Sequence, residues 1–225
     1  MLVDMRVTQL LSSRLCHDLI GPVSAVQNGT ELIDEMGSDA EGDALRLISM
    51  SADQLSARLA FFRVAFGMGG LSGVKPMVVE VREIAFAYFN GGRVALDWKK
   101  EKDTSFDLNT PLSILKLLMN LLLVGIDALP RGGVLFVSSE GTSIDHGESE
   151  ISIVVRAVGV GAHLKDDVFY AISSKKEENA DHKLNAHNVH GFFCQRLAAS
   201  LSSTIEIASN KDEVSFVANV KQPKI

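Results

Sequence analysis

Residues 14–22 read Arg14-Leu15-Cys16-His17-Asp18-Leu19-Ile20-Gly21-Pro22 and lie within a longer amphipathic pattern. Apolar residues recur there in steps of three and four, with one step of seven, which predicts a helix from residue 4 to about 36. These apolar residues are Val7, Leu11, Leu15, Leu19, Pro22, Val26 and Ile33. His17 lies two positions from both Leu15 and Leu19, about 200° around a helix, so its side chain faces away from the apolar stripe. Pro22 lacks an amide hydrogen and is expected to kink the helix, and such a break beside an exposed histidine indicates a site.

An ordinary structural role is the alternative for each of these residues. His17 could be one of many surface histidines, because imidazole is common on protein surfaces and only sometimes catalytic. Asp18 could be a surface charge, and Pro22 could be the first residue of a second, shorter helix. Cys16 is expected to be a small apolar filler rather than a nucleophile. The motif therefore needs support from the rest of the chain.

The composition describes an ordinary globular protein of 225 residues, with 46% hydrophobic and 22% charged residues and a net charge of −6. The basic residues are scattered, which argues against a nucleic-acid partner. The most apolar run, residues 112–129, is interrupted by Lys116, Asn120 and Asp127, so we interpret it as a buried helix rather than a membrane span. The helical pattern starts within the first few residues, so we do not expect a signal peptide. We therefore expect a cytoplasmic protein with no membrane partner.

A second helix is predicted over residues 41–66, ahead of a glycine cluster at residues 67–70 and Ser72-Gly73. Ser38 or Asp39 can cap it. Its predicted apolar stripe consists of Leu45, Ile48, Ala52, Leu55, Leu59 and Phe62. Two such helices joined by a short turn form an antiparallel hairpin, which cannot bury both of its stripes alone. We therefore predict that residues 1–70 form a dimeric four-helix bundle, which makes the protein a homodimer.

Residues 75–225 are predicted to form a second domain of mixed helices and strands. We expect helices over about 80–90, 111–129 and 190–202, and strands over 94–98, 134–138, 151–157, 204–208 and 213–220. Residues 139–149 are interpreted as a polar loop, and the region after Gly161 as irregular to about residue 187. The fold class is therefore α+β, with an N-terminal helical hairpin followed by an α/β sandwich in which helices cover one mixed sheet.

This order of elements, with His17, Asp18, Leu19 and Pro22 on the first helix, resembles the core of a sensor histidine kinase. The hairpin resembles its dimerisation and histidine-phosphotransfer domain. The second domain resembles its ATP-binding domain, of the GHKL type. The resemblance covers nearly the whole chain.

The family's nucleotide motifs are altered in this chain. Val124 stands where an N-box asparagine holds the nucleotide's magnesium, and an isopropyl group cannot ligate a hard cation. Asn120, the other N-box asparagine, is expected to be a buried cap or network residue. Ala157 replaces the carboxylate that contacts adenine, and we interpret the nearby residues Gly159-Val160-Gly161 as a turn. Bulky residues occupy the position of the phosphate-covering loop, in the stretch Asn188-Val189-His190-Gly191-Phe192-Phe193.

This chain keeps the phospho-acceptor histidine but has lost the nucleotide contacts. In this combination it resembles the dimeric histidine phosphotransferases of the alphaproteobacterial cell-cycle phosphorelay, the ChpT-like family. The resemblance implies that His17 accepts a phosphoryl group from the receiver domain of a hybrid histidine kinase and passes it to response regulators. It implies that Asp18 orients or polarises His17. It also implies that this chain needs no cofactor, because the receiver domain brings the Mg²⁺.

Five further residues are expected to support the site or to bind the partner: Arg14, Gly21, Pro22, Ser24 and Asn28. Arg14 lies about one helical turn before His17 and is either a charge facing the phosphate or a solvated arginine. Ser24 and Asn28 continue the His17 side of the helix, and the small side chain at Gly21 leaves room for a receiver domain.

Two other functions remain open from the sequence. The chain could be a noncatalytic docking scaffold for a kinase or a receiver, or an ATP-using histidine kinase with a divergent nucleotide site. A metal site is not expected, because the other histidines form no second pair at ligand spacing. They are His146, His163, His182, His187 and His190.

Overall fold

The computed structural model describes residues 5–36, 41–67, 77–99, 106, 110–143, 149–173 and 184–222. Helix α1 spans Met5–Met36 and helix α2 spans Glu41–Phe66, so both predicted helices are confirmed. Pro22 lies inside α1, which continues through it without a break, and the alternative of a second helix beginning there is wrong. The predicted caps Ser38 and Asp39 lie outside the described residues.

The apolar stripe predicted for α1 is confirmed, because every one of its residues is buried or half-buried. The stripe predicted for α2 is partly wrong, since Leu45 and Leu59 are each 51% exposed. The buried positions lie one residue earlier, at Ala44 and Ser51. These small side chains let α1 approach closely, so the apolar surface of α2 is wider than the strip that α1 covers.

The remainder of the chain forms four helices and five strands in the residues that the structure describes. The helices are α3 (Val78–Phe89), α4 (Leu112–Asp127), α5 (Asp166–Ser173) and α6 (Val189–Ser200). The strands are β1 (Val94–Asp97), β2 (Gly133–Ser143), β3 (Ser149–Val158), β4 (Ile205–Asn210) and β5 (Glu213–Gln222). They form one sheet in the order β1-β2-β3-β5-β4, in which β1 and β2 are parallel and the other pairs antiparallel. The predicted α+β class is thereby confirmed.

Two predictions for this region are wrong. The predicted polar loop over residues 139–149 is strand at both of its described ends, because β2 continues to Ser143 and β3 begins at Ser149, while residues 144–148 lie outside the described residues. Backbone hydrogen bonds hold this extension, so it needs no apolar side chains. The region predicted as irregular contains α5, a helix of 8 residues whose apolar signal is short because it buries only Val168 and Ile172.

One hydrophobic core joins the hairpin to the sheet. Phe61, Phe62, Val64 and Ala65 at the end of α2 belong to the same buried cluster as α4 and the inner face of the sheet. Helix α4 is buried over most of its length, as expected for the apolar run. The predicted boundary between residues 70 and 75 lies outside the described residues, so the division into 1–70 and 75–225 stays a prediction. No helix among the described residues is long and apolar enough to cross a membrane.

Candidate functional site

His17 projects from the middle of α1 into solvent, and its side chain is 86% exposed. Leu15 and Leu19, on the opposite side of the helix, pack against the core, as the helical spacing predicts. The imidazole Nδ1 atom lies 3.3 Å from Oδ1 of Asp18. This contact occupies one ring nitrogen and leaves Nε2 as the nitrogen that can meet a partner.

A groove of about 440 Å³ runs beside His17 between the two helices of the hairpin. Its lining consists of His17, Asp18, Ile20, Gly21, Pro22 and Ala25 from α1, with Gln54 and Arg58 from α2. The Arg58 guanidinium donates a hydrogen bond to the backbone carbonyl of Asp18. A Cβ atom placed on Gly21 would meet nothing within 4 Å, so the groove floor is open there.

The sequence reasoning missed Gln54 and Arg58, although a signal for them exists. Because α1 ends at Met36 and α2 begins at Glu41, residues equally far from the turn come side by side in an antiparallel hairpin. Asp18 and Arg58 are such a pair. The other predicted partner-facing residues, Ser24 and Asn28, are exposed.

Arg14 contacts the sheet-containing part of the chain. Its Nη2 atom donates to both carboxylate oxygens of Asp127, at 2.7 and 2.8 Å. Its Nη1 atom donates to the carbonyl oxygen of His187 at 3.4 Å, and its Nε atom lies 3.9 Å from Oδ2 of Asp18. The guanidinium thus joins α1 to the end of α4 and to the segment before α6. The alternative of a solvated arginine is wrong, because the Arg14 side chain is only 18% exposed. Its predicted contact with a phosphate stays a prediction.

The positions that correspond to the nucleotide motifs are packed into the core. Val124 and Ala157 are fully buried. Asn120 is also buried, and its Nδ2 atom donates to the carbonyl oxygens of Ala65 and Lys116 at 2.9 and 2.8 Å, which confirms the expected network role. Gly161 has a positive φ of 73°, and a Cβ on Gly159 would collide with the carbonyl oxygen of Gly132, so both are turn glycines.

The beginning of α6 is closed by aromatic packing. His190 is 1% exposed and stacks on Phe66 from α2 with their ring centroids 5.4 Å apart, and Phe193 lies 5.5 Å from the same ring. A Cβ on Gly191 would lie 3.0 Å from the carbonyl oxygen of Val168. Burial, together with the nearby charge of Arg14, lowers the pKa of His190 to about 3. This imidazole is therefore a neutral core group.

Neither the two free cysteines nor the other histidines and carboxylates point to a second reactive or metal-binding site among the described residues. Cys16 is exposed, so the expectation that it is an apolar filler is wrong. Cys194 is buried, and burial raises the pKa of its thiol. Within the described ranges there is no group of three or more His, Cys, Asp or Glu side chains that could hold a metal ion. His146 and His182 lie outside those ranges.

Comparison with known proteins gives consistent matches over most of the chain. The family model "Histidine phosphotransferase C-terminal domain" matches residues 78–213. The protein phosphotransferase ChpT of Brucella abortus (strain 2308) is 34% identical over 209 residues, which cover 93% of each chain. A solved bacterial phosphotransferase is 32% identical and superposes with a TM-score of 0.77, covering 97% of this chain and 98% of that one. This chain therefore belongs to the histidine phosphotransferase family that includes ChpT, and it is a phosphotransferase.

Proposed function

We propose that this phosphotransferase relays a phosphoryl group through His17, from the receiver-domain aspartate of a hybrid histidine kinase to the receiver domains of response regulators. The observation that carries the proposal is the 86% exposed side chain of His17, with a carboxylate 3.3 Å from its Nδ1 atom. An exposed imidazole can reach a phosphoaspartate on another protein, and the adjacent acid can hold it in a reactive form. The relay partners are expected in the cytoplasm.

The proposed first step is a nucleophilic displacement at phosphorus. The lone pair on Nε2 of His17 attacks the aspartyl phosphate, and an N–P bond forms while the bond between phosphorus and the acyl oxygen breaks. The receiver's carboxylate leaves with the electron pair of that bond. The imidazole gains positive charge, which Asp18 stabilises by accepting a hydrogen bond from Nδ1. The second step is the reverse, with the aspartate of another receiver as the nucleophile.

The groove beside His17 is the proposed docking surface for the receiver domain. Gly21 leaves its floor low, and the exposed side chains of Ser24 and Asn28 continue the same side of α1. In this proposal the receiver brings the Mg²⁺, and this chain supplies the nucleophile and its position. Arg58 supports that position through its hydrogen bond to the Asp18 carbonyl.

We also propose that the chain neither binds nor hydrolyses ATP. Val124 offers no oxygen ligand for magnesium and Ala157 no acceptor for adenine, and both side chains are fully buried. Gly191 packs against Val168, where backbone amides would otherwise approach a phosphate. Each lost hydrogen bond of this kind is worth about 1–3 kcal/mol, so their combined absence argues against useful affinity.

A homodimer completes the proposal. Leu45, Ala52 and Leu59 are exposed and seven residues apart, so they share one face of α2. That face lies about 140–180° around α2 from Gln54, on the opposite side from the groove. A hairpin leaves such an apolar face in water unless a second hairpin covers it. Two copies would bury these faces and leave each His17 exposed.

One labelling experiment tests the proposed relay. The purified chain is incubated with radiolabelled MgATP, and separately with receiver domains already phosphorylated by labelled acetyl phosphate, and the label is then mapped. We expect His17 to be labelled by the phosphorylated receiver but not by MgATP. The His17→Ala variant should take no label from the receiver. The His163→Ala variant, a control at another exposed histidine, should be labelled as fully as the wild type. Label from MgATP would instead identify an ATP-using kinase. Receiver binding without label would identify a docking scaffold.

A further inference from the structure

Two carboxylates compete for one guanidinium beside the phosphotransfer site. Asp127, the last residue of α4, accepts hydrogen bonds at both carboxylate oxygens from Nη2 of Arg14, whereas Oδ2 of Asp18 lies 3.9 Å from Nε of the same side chain. Asp18 in turn lies 3.3 Å from Nδ1 of His17. Consecutive polar contacts therefore connect Asp127 at the end of α4, through Arg14 and Asp18, to the exposed imidazole.

The carboxylate of Asp127 is unfavourable where it stands. It lies at the C-terminal end of a helix, where the partial charge of the backbone carbonyls is negative. Its side chain is partly buried, and burial raises the pKa of Asp127; the charge of Asp18 adds to the shift, whereas Arg14 and Lys165 oppose it. An apolar residue often serves stability better than a partly buried ion pair. The geometry suggests that this charge serves the site rather than the fold.

We infer that Asp127 is a positioning residue for phosphoryl transfer through His17, and this inference rests on the proposed function. Asp127 holds the Arg14 guanidinium toward α4, so that only Nε remains near Asp18. The Asp18 carboxylate is then left to the Nδ1 atom of His17. Without the charge of Asp127, Arg14 turns to Asp18, forms the closer ion pair and withdraws that carboxylate from the imidazole.

Through this contact the sheet-containing part of the chain takes part in the transfer. Its buried nucleotide-motif positions leave it without an evident role in supplying phosphate, but α4 ends beside the acid–histidine pair. Displacement of a catalytic group by about 1 Å can cost about 100-fold in rate, so a remote ion pair can matter as much as a direct contact.

The test compares Asp127→Asn and Asp127→Glu in the full-length chain. Asparagine keeps the size of the side chain and removes its charge, whereas glutamate keeps the charge. We measure transfer from a receiver phosphorylated with acetyl phosphate over a range of receiver concentrations, and transfer from phosphoramidate, a small donor that needs no docking. We expect Asp127→Asn to lower the rate at saturating receiver by about 10- to 100-fold with an unchanged KM, and to slow the phosphoramidate reaction equally. Asp127→Glu restores most of the rate.

A second measurement does not depend on activity. Nitrogen NMR of the His17 imidazole reports how much of the ring carries its proton on Nδ1, the form that donates to Asp18. We expect this fraction to fall in Asp127→Asn and to recover in Asp127→Glu. If the wild-type chain takes no phosphoryl group from the receiver, the proposed function fails, whereas the NMR comparison still decides the position of Asp18.

Glu213→Gln is the matched control for loss of an ion pair. Glu213 pairs with Arg156 at 2.7 and 3.0 Å, and Arg156 lies on the face of the sheet opposite to the buried side chains. We expect this control to keep the wild-type transfer rate and the wild-type His17 proton position. An Asp127→Asn chain that melts at a lower temperature but keeps both properties would overturn the inference, because Asp127 would then only hold the fold. If Asp127→Asn does not fold, Asp127→Ser replaces it, since serine also removes the charge and should lower the same rate and the same Nδ1 fraction.

Discussion

The groove beside His17 and the beginning of α6 are built in opposite ways. At the groove, Arg58 and Arg14 make polar contacts around Asp18 while the imidazole itself stays in solvent. At the beginning of α6, His190 is buried against Phe66 and Gly191 packs on Val168. The groove keeps its reactive histidine exposed, whereas the residues at the beginning of α6 pack in the core. Substitutions should therefore change rate in the first region and stability in the second.

The largest expected effect is the complete loss of phosphoryl acceptance in His17→Ala. Because His17 is exposed and touches little of the core, we expect the free energy of unfolding to change by no more than about 0.5 kcal/mol. Acid-labile label and urea unfolding, measured on the same preparation, check the two halves of this prediction. Residual label at another residue, or a clear loss of stability, would contradict the separation between rate and stability.

The opposite outcome is expected for Val124→Asn, which restores the residue type of the histidine kinase motif. Val124 is fully buried, so the new amide would lose its water without a designed partner, and we expect a loss of about 2–4 kcal/mol of unfolding free energy. Urea unfolding measures it, and Val160→Asn at a 66% exposed valine is the control. A rise in the melting temperature of Val124→Asn when MgATP is added would contradict our interpretation that the nucleotide-motif positions now serve only core packing.

A smaller effect is expected from pH, through His190. Its pKa in the folded chain is about 3, below its ordinary value of 6.5, so the unfolded chain binds the proton first. The contribution of neutral His190 to stability is complete above pH 6.5 and is lost as the pH falls from about 6.5 toward 3. We expect the drop in unfolding free energy between pH 7 and pH 5.5 to be about 1 kcal/mol larger in the wild-type chain than in His190→Phe. Equal pH dependence in the two chains would mean that His190 is not buried in its neutral form.

Helical periodicity and strand alternation predict most elements of this fold, and they fail where side chains carry no apolar signal. The strand segments after Ser139 pair through their backbones, and α5 is too short for a helical period to stand out. Periodicity also misjudges the buried face of α2, because Leu45 and Leu59 are as apolar as any core residue. Their exposure in one copy depends on what packs against them, which a single sequence does not state.

Prediction of the site divides in the same way. His17 and Asp18 are recognisable because they are adjacent in the sequence and His17 faces away from an apolar stripe. Arg58 and Asp127 are 40 and 113 residues away from their partners on α1, so only the folded chain brings them there. Arg14 is predicted as a site residue, but its contact with Asp127 does not follow from its place on the helix.

The smallest effect separates two glycines of α1 that look alike in the sequence. A Cβ on Gly21 meets nothing within 4 Å, whereas a Cβ on Gly29 would lie 2.6 Å from Cγ1 of Ile48. Within a helix alanine is more stable than glycine by about 0.5–1 kcal/mol, so Gly21→Ala should raise the unfolding free energy by about that amount and Gly29→Ala should lower it. Gly21→Ala should also slow transfer from a receiver domain but not from phosphoramidate, because its methyl group occupies the groove that the receiver is proposed to enter. Equal slowing with both donors would mean that Gly21 serves the chemistry at His17, and unchanged rates with both would mean that the receiver docks elsewhere.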